Sequence, residues 1–329
     1  MPIPVSSVVP VFATQKELRS EATTPVRCAR LRGCVPALLL LLLLIMSFAF
    51  EAKPLVAAAP PSDRAAMQSF QIPSHGSLLN AFLYVAAGAG PHPAVVLLHG
   101  FPGNERNLDL AQDMRRAGWD VLFLDFRGSW GTPGDYSFTH SIEDTAAAVA
   151  YLRQPEVAES LRLDPKRIVL LGHSMGGFLA LQGGAADPTI LGIGMISAAD
   201  IGGRIPEPLP KEHEAQVIEG MSKAYAHEGM APLAGCTPES LARETVAHAA
   251  EFRFLSKVDA VKGRPVLIVT SDDGLQAANE ALATALEKAG DARVTTLHLA
   301  TDHAYSDERQ ALSAAVLKWL GSLTTTAAR

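Results

Sequence analysis

The stretch IVLLGHSMGGFLAL, residues 168–181, decides the predicted fold. Its first four residues are apolar without alternation, which is typical of a strand buried on both faces of a sheet. The small and apolar residues that follow predict a helix from Met175. The G-x-S-x-G pattern between them predicts a tight turn around Ser174, because Gly172 and Gly176 lack the side chains that would collide there. Such a turn exposes a hydroxyl beside a helix N-terminus, so Ser174 is a candidate nucleophile.

The strand-then-helix pattern continues on both sides of this stretch. After two short strands over 69–73 and 78–86, apolar runs predict strands over 94–98, 120–125, 167–171, 191–197, 264–270 and 293–299. Helical stretches are predicted over 104–117, 141–153, from 175, up to 289, and over 307–320. Strands that alternate with helices indicate βαβ units. The predicted fold class is therefore α/β, with a mostly parallel central sheet flanked by helices.

The alternation stops between about residues 200 and 262. This segment has three prolines near its start and predicts short polar helices, which we interpret as a small helical lid inserted over one end of the sheet. Its apolar side chains either face a substrate pocket or pack the lid on the sheet: Met221, Tyr225, Met230 and Leu233.

Three further motifs follow predicted strands: HGFPG at 99–103, TSDDGL at 270–275 and ATDHA at 300–304. With the serine turn, they make the chain resemble the α/β-hydrolase superfamily over about residues 68–321. The resemblance includes prolyl-oligopeptidase-like and serine-aminopeptidase-like catalytic domains and related esterases. A β-propeller like that of prolyl oligopeptidases does not fit in this length.

The resemblance implies a catalytic triad of Ser174, Asp273 and His303, in the order serine, aspartate, histidine that is typical of this superfamily. Asp273 matches the family's acid position better than Asp272, which is the alternative acid and would otherwise be a turn residue or a helix cap. His298 lies within the last predicted strand, where we expect a structural role.

The family also provides an oxyanion hole from two backbone N–H groups. The resemblance assigns these to Phe101 and Met175, where they would stabilise charge that appears in the transition state. We expect His99 to orient the loop that carries Phe101 rather than to act in catalysis.

DFRGSWG, residues 125–131, resembles a glycine-rich segment that begins D-x-R-G in the peptidase branches of the superfamily. There it is largely a structural loop near the site. Trp130 and Tyr136 are candidates for lining the acyl or leaving-group pocket. Glu143 and Asp144 are expected to be favourable charges at the N-terminus of the next helix.

The machinery that the resemblance implies transfers an acyl group to water through an acyl-enzyme. Carboxylic esters, thioesters and amides all qualify, so the expected function is a serine hydrolase of small-molecule esters, with a peptidase on short peptides as the alternative. An acyltransferase or haloperoxidase-like activity and a non-catalytic binding protein are weaker alternatives. No cofactor and no metal are expected.

Composition excludes several other classes. Twenty-eight Lys and Arg against 34 Asp and Glu give a net charge of −6, which argues against a nucleic-acid partner. Cys28 and Cys34 lie near the N-terminus, so Cys236 is alone in the remainder of the chain. An intramolecular disulfide or a cysteine-based zinc site is therefore not expected there.

Residues 1–59 predict a targeting segment and linker that precede a catalytic domain over 60–329. Basic residues before Val35 are followed by an apolar run over 35–50 that includes seven consecutive leucines. This pattern is typical of a secretory signal peptide, and an uncleaved membrane anchor is the alternative. Either one predicts an exported domain, periplasmic or secreted, and the anchor adds a membrane tether through residues 35–50.

Overall fold

The computed structural model describes residues 63–290 and 293–326. The predicted targeting segment, with its signal peptide or membrane tether, lies outside these residues. Within the two described ranges, no helix combines the length and the hydropathy that crossing a bilayer requires.

Eight strands of the described residues form one sheet in the order β1-β2-β4-β3-β5-β6-β7-β8. The strands are β1 Ala66–Ser74, β2 Ser77–Val85, β3 His92–Leu98, β4 Asp120–Leu124, β5 Leu163–His173, β6 Gly192–Ile196, β7 Val266–Thr270 and β8 Val294–His298. β1 pairs with β2, and β2 with β4, in antiparallel register, and every other neighbouring pair is parallel. The predicted α/β class is therefore confirmed.

Burial follows the position of each strand in the sheet. All residues of β3, β4, β6 and β7 are buried, as continuous apolar runs predict for strands covered on both faces. β8 is an edge strand and has exposed or half-buried residues throughout.

Helices cover both faces of the sheet. They are α1 Leu108–Arg116, α2 Phe138–Leu152, α3 Pro155–Leu161, α4 Met175–Ala186, α5 Lys211–His227, α6 Pro238–Ala247, α7 Ala249–Phe252, α8 Val258–Val261, α9 Gln276–Lys288 and α10 Arg309–Thr326. Apolar residues of α1 and α10 pack on one face of the sheet. Apolar residues of α2, α4 and α9 belong to the core on the other face. The site therefore rests on a sheet that is held from both sides.

The segment over 200–262 contains α5 to α8 and two 3-10 turns. The expectation of short helices is wrong for α5, which has 17 residues and packs against α6. Tyr225 of α5 is buried, whereas Met221, Met230 and Leu233 are half-buried against the core. The segment is fastened to the loop after β4, because the Trp130 N–H donates to the Pro232 carbonyl at 2.9 Å.

Helix α2 begins three residues earlier than predicted. The Ser137 side chain accepts a hydrogen bond from the His140 N–H at 3.0 Å and thereby caps the helix. Glu143 and Asp144 consequently lie in the second turn, so their expected role as first-turn charges is wrong. Asp144 is instead a buried ion-pair partner of Arg127.

Candidate active site

Ser174 lies between the last residue of β5 and the first residue of α4, with φ 58° and ψ −121°. The turn is fixed by its backbone, because the Ser174 N–H donates to the Ile196 carbonyl at 2.9 Å. A Cβ atom on Gly172 would lie 2.0 Å from the Gly176 carbonyl oxygen, and one on Gly176 would lie 2.0 Å from the Leu98 carbonyl oxygen. Both glycines are therefore needed for the close approach of three backbone segments.

The His303 imidazole donates from Nδ1 to Oδ2 of Asp273 at 2.7 Å. The Asp273 side chain is 3% exposed and the His303 side chain is 42% exposed. Burial alone would raise the pKa of Asp273, but hydrogen bonds from His303 and from the Leu275 N–H hold this pKa well below its usual range. The acid is therefore ionised, and Nε2 of His303 is left as the basic nitrogen.

The neighbouring Asp272 points away from this pair. Its side chain is 62% exposed, and Oδ1 lies 3.4 Å from Nε2 of His298 at the edge of the sheet. The Asp272 N–H donates to the Thr301 carbonyl at 3.0 Å. The two aspartates occupy a bend after β7, in which Asp273 reaches His303 and Asp272 faces solvent.

The loop after β3, which carries Phe101, lies against Ser174. A Cβ atom on Gly100 would lie 3.0 Å from the Ser174 Cβ and 3.5 Å from its Oγ, so this backbone packs directly on the serine. Across residues 63–290 and 293–326, neither the Phe101 N–H nor the Met175 N–H donates to a protein acceptor. Both groups therefore remain available to a developing oxyanion.

All five predicted site residues line one cavity of about 270 Å³. Its lining residues are Phe101, Phe138, Ser174, Met175, Ala199, Ile201, Arg204, Tyr225, Glu228, Asp273, Leu275 and His303. Seven of these twelve residues are apolar or aromatic. The segment over 200–262 supplies two exposed charged residues, Arg204 and Glu228.

Trp130 and Tyr136 are not among the lining residues, contrary to the expectation that they form the pocket wall. Tyr136 is buried beneath Phe101, with ring centroids 5.8 Å apart, and its hydroxyl lies 2.9 Å from the Met175 Sδ. The Trp130 indole donates to the Pro102 carbonyl at 2.9 Å. Both residues therefore pack against the loop that carries Phe101, outside the cavity.

The segment over 125–131 is held by a buried ion pair. Arg127 donates from Nε to Oδ1 of Asp144 and from its backbone N–H to Oδ2, both at 2.7 Å. Asp144 also accepts from the Ser74 hydroxyl at 2.6 Å, and Arg127 reaches Glu143 on the surface. The side chain of Arg127 is thus turned into the protein rather than toward the cavity.

Two buried histidines support the site without lining the cavity. Burial lowers the pKa of His99 to about 4, and its Nδ1 bonds the Gly100 carbonyl at 2.7 Å, in agreement with the expected structural role. His173 was not singled out from the sequence. Burial, together with the charge of His303, lowers the pKa of His173 to about 4. Its Nε2 donates to the His303 carbonyl at 2.7 Å. The sequence signal that could have identified His173 is its position directly before Ser174.

Comparisons with known proteins agree with this architecture. The model of the alpha/beta hydrolase family matches residues 95–316. Among solved structures, Est1E from Butyrivibrio proteoclasticus with bound ferulic acid shares 19% identity at a TM-score of 0.56, covering 78% of this chain and 99% of its own. A fungal esterase from Rhizomucor miehei shares 18% identity at a TM-score of 0.60, covering 80% of this chain and 85% of its own. At these identities the similarity establishes a common fold.

A curated relative matches a shorter part of the sequence. The thiohydrolase apmlB from Arthrinium phaeospermum is 33% identical over 121 residues, which are 35% of this chain and 37% of that protein. The match therefore spans little more than a third of the relative's length.

Proposed function

Because the chain belongs to the alpha/beta hydrolase family, we propose that it is a serine hydrolase that cleaves carboxylic esters through an acyl-enzyme on Ser174. The observation that carries the proposal is the 2.7 Å hydrogen bond between His303 and the buried Asp273, in a cavity that both share with Ser174. The esterases among proteins of the same fold support ester over amide substrates.

The geometry supports the following steps of acyl transfer. Nε2 of His303 accepts the Ser174 proton while Oγ attacks the carbonyl carbon, and Asp273 stabilises the resulting imidazolium. The oxyanion of the tetrahedral intermediate accepts hydrogen bonds from the Phe101 and Met175 N–H groups. His303 then returns the proton to the departing alcohol. Water attacks the acyl-enzyme by the same route and releases the carboxylic acid.

The volume of the cavity supports a preference for substrates with a short acyl group. Its volume of about 270 Å³ must hold the acyl chain and the reacting carbonyl between apolar walls. The segment over 200–262 supplies Ile201 and Tyr225 to these walls, so we assign it the role of a specificity lid.

The test compares matched chromogenic substrates, a p-nitrophenyl butyrate and an aminoacyl p-nitroanilide. We expect the purified chain to hydrolyse the ester, and Ser174→Ala to lose about 10⁴-fold or more in kcat with an unchanged circular dichroism spectrum. Ser160→Ala is the matched control, since Ser160 is exposed on α3 and is not among the residues that line the cavity.

Comparable turnover of the anilide would identify a peptidase. Turnover that survives Ser174→Ala, or a folded protein inactive on both substrates, would contradict the proposed function.

A further inference from the structure

Three aromatic side chains surround the ring of Phe101, the residue that carries one of the two proposed oxyanion donors. The ring centroid of Phe101 lies 5.8 Å from that of Tyr136 and 5.9 Å from that of Phe138. The third neighbour is Tyr225, at 5.6 Å. All three neighbours are buried, whereas Phe101 is half-buried at the cavity. We name Tyr136, Phe138 and Tyr225 the aromatic clamp.

The aromatic clamp combines two parts of the chain. Phe138 is the first residue of α2, and Tyr136 directly precedes its cap. Tyr225 belongs to α5, in the segment over 200–262. The rings of Phe138 and Tyr225 also contact each other, with centroids 5.6 Å apart. The proposed lid therefore reaches the loop after β3 directly, through one tyrosine.

Two hydrogen bonds fix the position of that tyrosine. The Tyr225 hydroxyl lies 2.8 Å from the Thr245 Oγ1, and both residues are buried. The Thr245 hydroxyl donates its only proton to the Leu241 carbonyl at 2.8 Å, so it must accept from Tyr225. The ring of Tyr225 is thus tied to α6 at its hydroxyl end, while it packs edge-to-face with Phe101.

The Phe101 N–H depends on this packing because no hydrogen bond of its own fixes it. In the described ranges it donates to no protein acceptor. The next residue, Pro102, has no N–H, and its carbonyl accepts from the Trp130 indole. The contacts of the Phe101 ring therefore help to orient the N–H of the same residue.

We propose that Tyr225 is a positioning residue that holds the Phe101 N–H at the oxyanion position, so that the placement of the lid affects the rate of the chemical step. This inference rests on the proposed function. An oxyanion donor stabilises the transition state where it is preorganised, and removing one donor altogether costs about 10²–10³-fold in kcat. Displacing the donor without removing it should cost less, about 10-fold.

Tyr225 also lines the cavity, so its contributions to binding and to positioning must be separated. Loss of a wall residue weakens binding of the acyl chain and appears in KM, whereas a displaced oxyanion donor lowers kcat. We therefore choose p-nitrophenyl acetate, whose acyl chain makes few contacts with the wall.

A trifluoromethyl ketone measures oxyanion binding separately. The Ser174 Oγ adds to its carbonyl carbon, the Ser174 proton passes to Nε2 of His303, and the carbonyl oxygen becomes an oxyanion. Because this adduct resembles the tetrahedral intermediate, its affinity should follow kcat across the variants.

The experiment compares Tyr225→Leu and Tyr225→Phe with Phe252→Leu in the full chain. Phe252 is the matched control, because it is a buried aromatic residue of the same segment and does not line the cavity. It packs edge-to-face on Phe178 at 5.3 Å, as Tyr225 does on Phe101.

We expect Tyr225→Leu to lower kcat for the acetate about 10-fold and to raise the inhibition constant of butyl trifluoromethyl ketone by the same factor. Tyr225→Phe keeps the ring and loses one hydrogen bond, so both quantities should change by about 3-fold. Phe252→Leu should lose thermal stability and change both by less than about 2-fold.

Several results would overturn the positioning role. Tyr225→Leu could lose thermal stability as Phe252→Leu does and keep kcat and the inhibition constant. A rise in KM alone would show that Tyr225 only lines the wall, and equal losses in Tyr225→Phe and Tyr225→Leu would show that the ring contact is not what matters. If Tyr225→Leu does not fold, an unchanged inhibition constant in Tyr225→Phe contradicts the inference. Failure of the proposed function is distinct, since it would appear as activity in Ser174→Ala or as an unsubstituted protein without ester hydrolysis.

Discussion

Two glycine-rich loops follow parallel strands of the same sheet and do opposite work. The elbow, residues 172–177, begins in the last two residues of β5, and the Asp125 loop, residues 125–131, follows β4. Each contains a residue other than glycine at positive φ, Ser174 at 58° and Trp130 at 49°. Ser174 lines the cavity, whereas Trp130 and Arg127 bond parts of the protein behind it.

The difference shows that glycine content and backbone strain do not by themselves identify a catalytic turn. In the Asp125 loop, the charged side chain of Arg127 bonds partners within the fold, namely Asp144, Glu143 and the His140 carbonyl. In the elbow, the strained residue is Ser174, which lines the same cavity as His303 and Asp273. Substitutions in the elbow should therefore lower activity, and substitutions in the Asp125 loop should lower stability.

The largest expected effect is on activity and comes from substitution of Asp273, the proposed acid. Asp273→Asn should lower kcat about 10⁴-fold, because an amide cannot hold the imidazole in the required tautomer. Asp272→Asn is the matched control at the next residue and should change kcat by less than about 2-fold, since its carboxylate is exposed. Steady-state kinetics of both variants decide the assignment, and the reverse result would exchange the two roles.

The Asp125 loop should instead determine stability. Asp144→Ala leaves Arg127 without its buried carboxylate partner and should lower the free energy of unfolding by about 3–5 kcal/mol, as measured by urea denaturation. Glu143→Ala removes the exposed partner of the same arginine and should cost less than about 1 kcal/mol. Equal costs for the two variants would show that the buried pair is not what holds this loop.

Acidification should lower the free energy of unfolding through His173, the residue before Ser174 in the elbow. Its folded pKa of about 4 lies below the ordinary 6.5, so the unfolded chain binds the proton first and stability falls as the pH drops from 6.5 to 4. The contribution of His173 to this loss is up to about 3 kcal/mol. His173→Phe should reduce the pH dependence of the unfolding free energy over that range. His99, which has a similarly lowered pKa, remains in both proteins. Identical pH dependence in both would contradict a buried neutral His173.

The smallest expected effect comes from breaking the contact between the Asp125 loop and the loop after β3, which carries Phe101. Trp130→Phe removes the hydrogen bond to the Pro102 carbonyl and should cost about 1 kcal/mol of stability. Activity should fall no more than a few-fold, because the Phe101 N–H stays in place. Thermal unfolding and ester kinetics measure the two quantities. A loss of activity as large as that of Asp273→Asn would place Trp130 in the catalytic machinery.

Local pattern was sufficient for the fold class and for the location of the site. The continuous apolar runs of β3 to β7 predict buried parallel strands, and the motifs lie at the ends of these strands, except that the His303 motif follows the edge strand β8. Parallel strands end at the same sheet edge, so residues as distant in sequence as Ser174 and His303 are brought to one cavity. The resemblance favours Asp273 over Asp272, and the structure shows the hydrogen bond that the interpretation requires.

Tertiary structure decided which polar side chains are free to react and which are satisfied. Asp144 has the sequence context of a first-turn helix charge, yet burial beside Arg127 makes it an ion-pair partner. His173 carries no motif of its own, and its role depends on its hydrogen bond to the His303 carbonyl, 130 residues further along the chain. Sequence determines which chemical groups follow each strand. The direction of each side chain depends on long-range packing and hydrogen bonds, which local spacing does not encode.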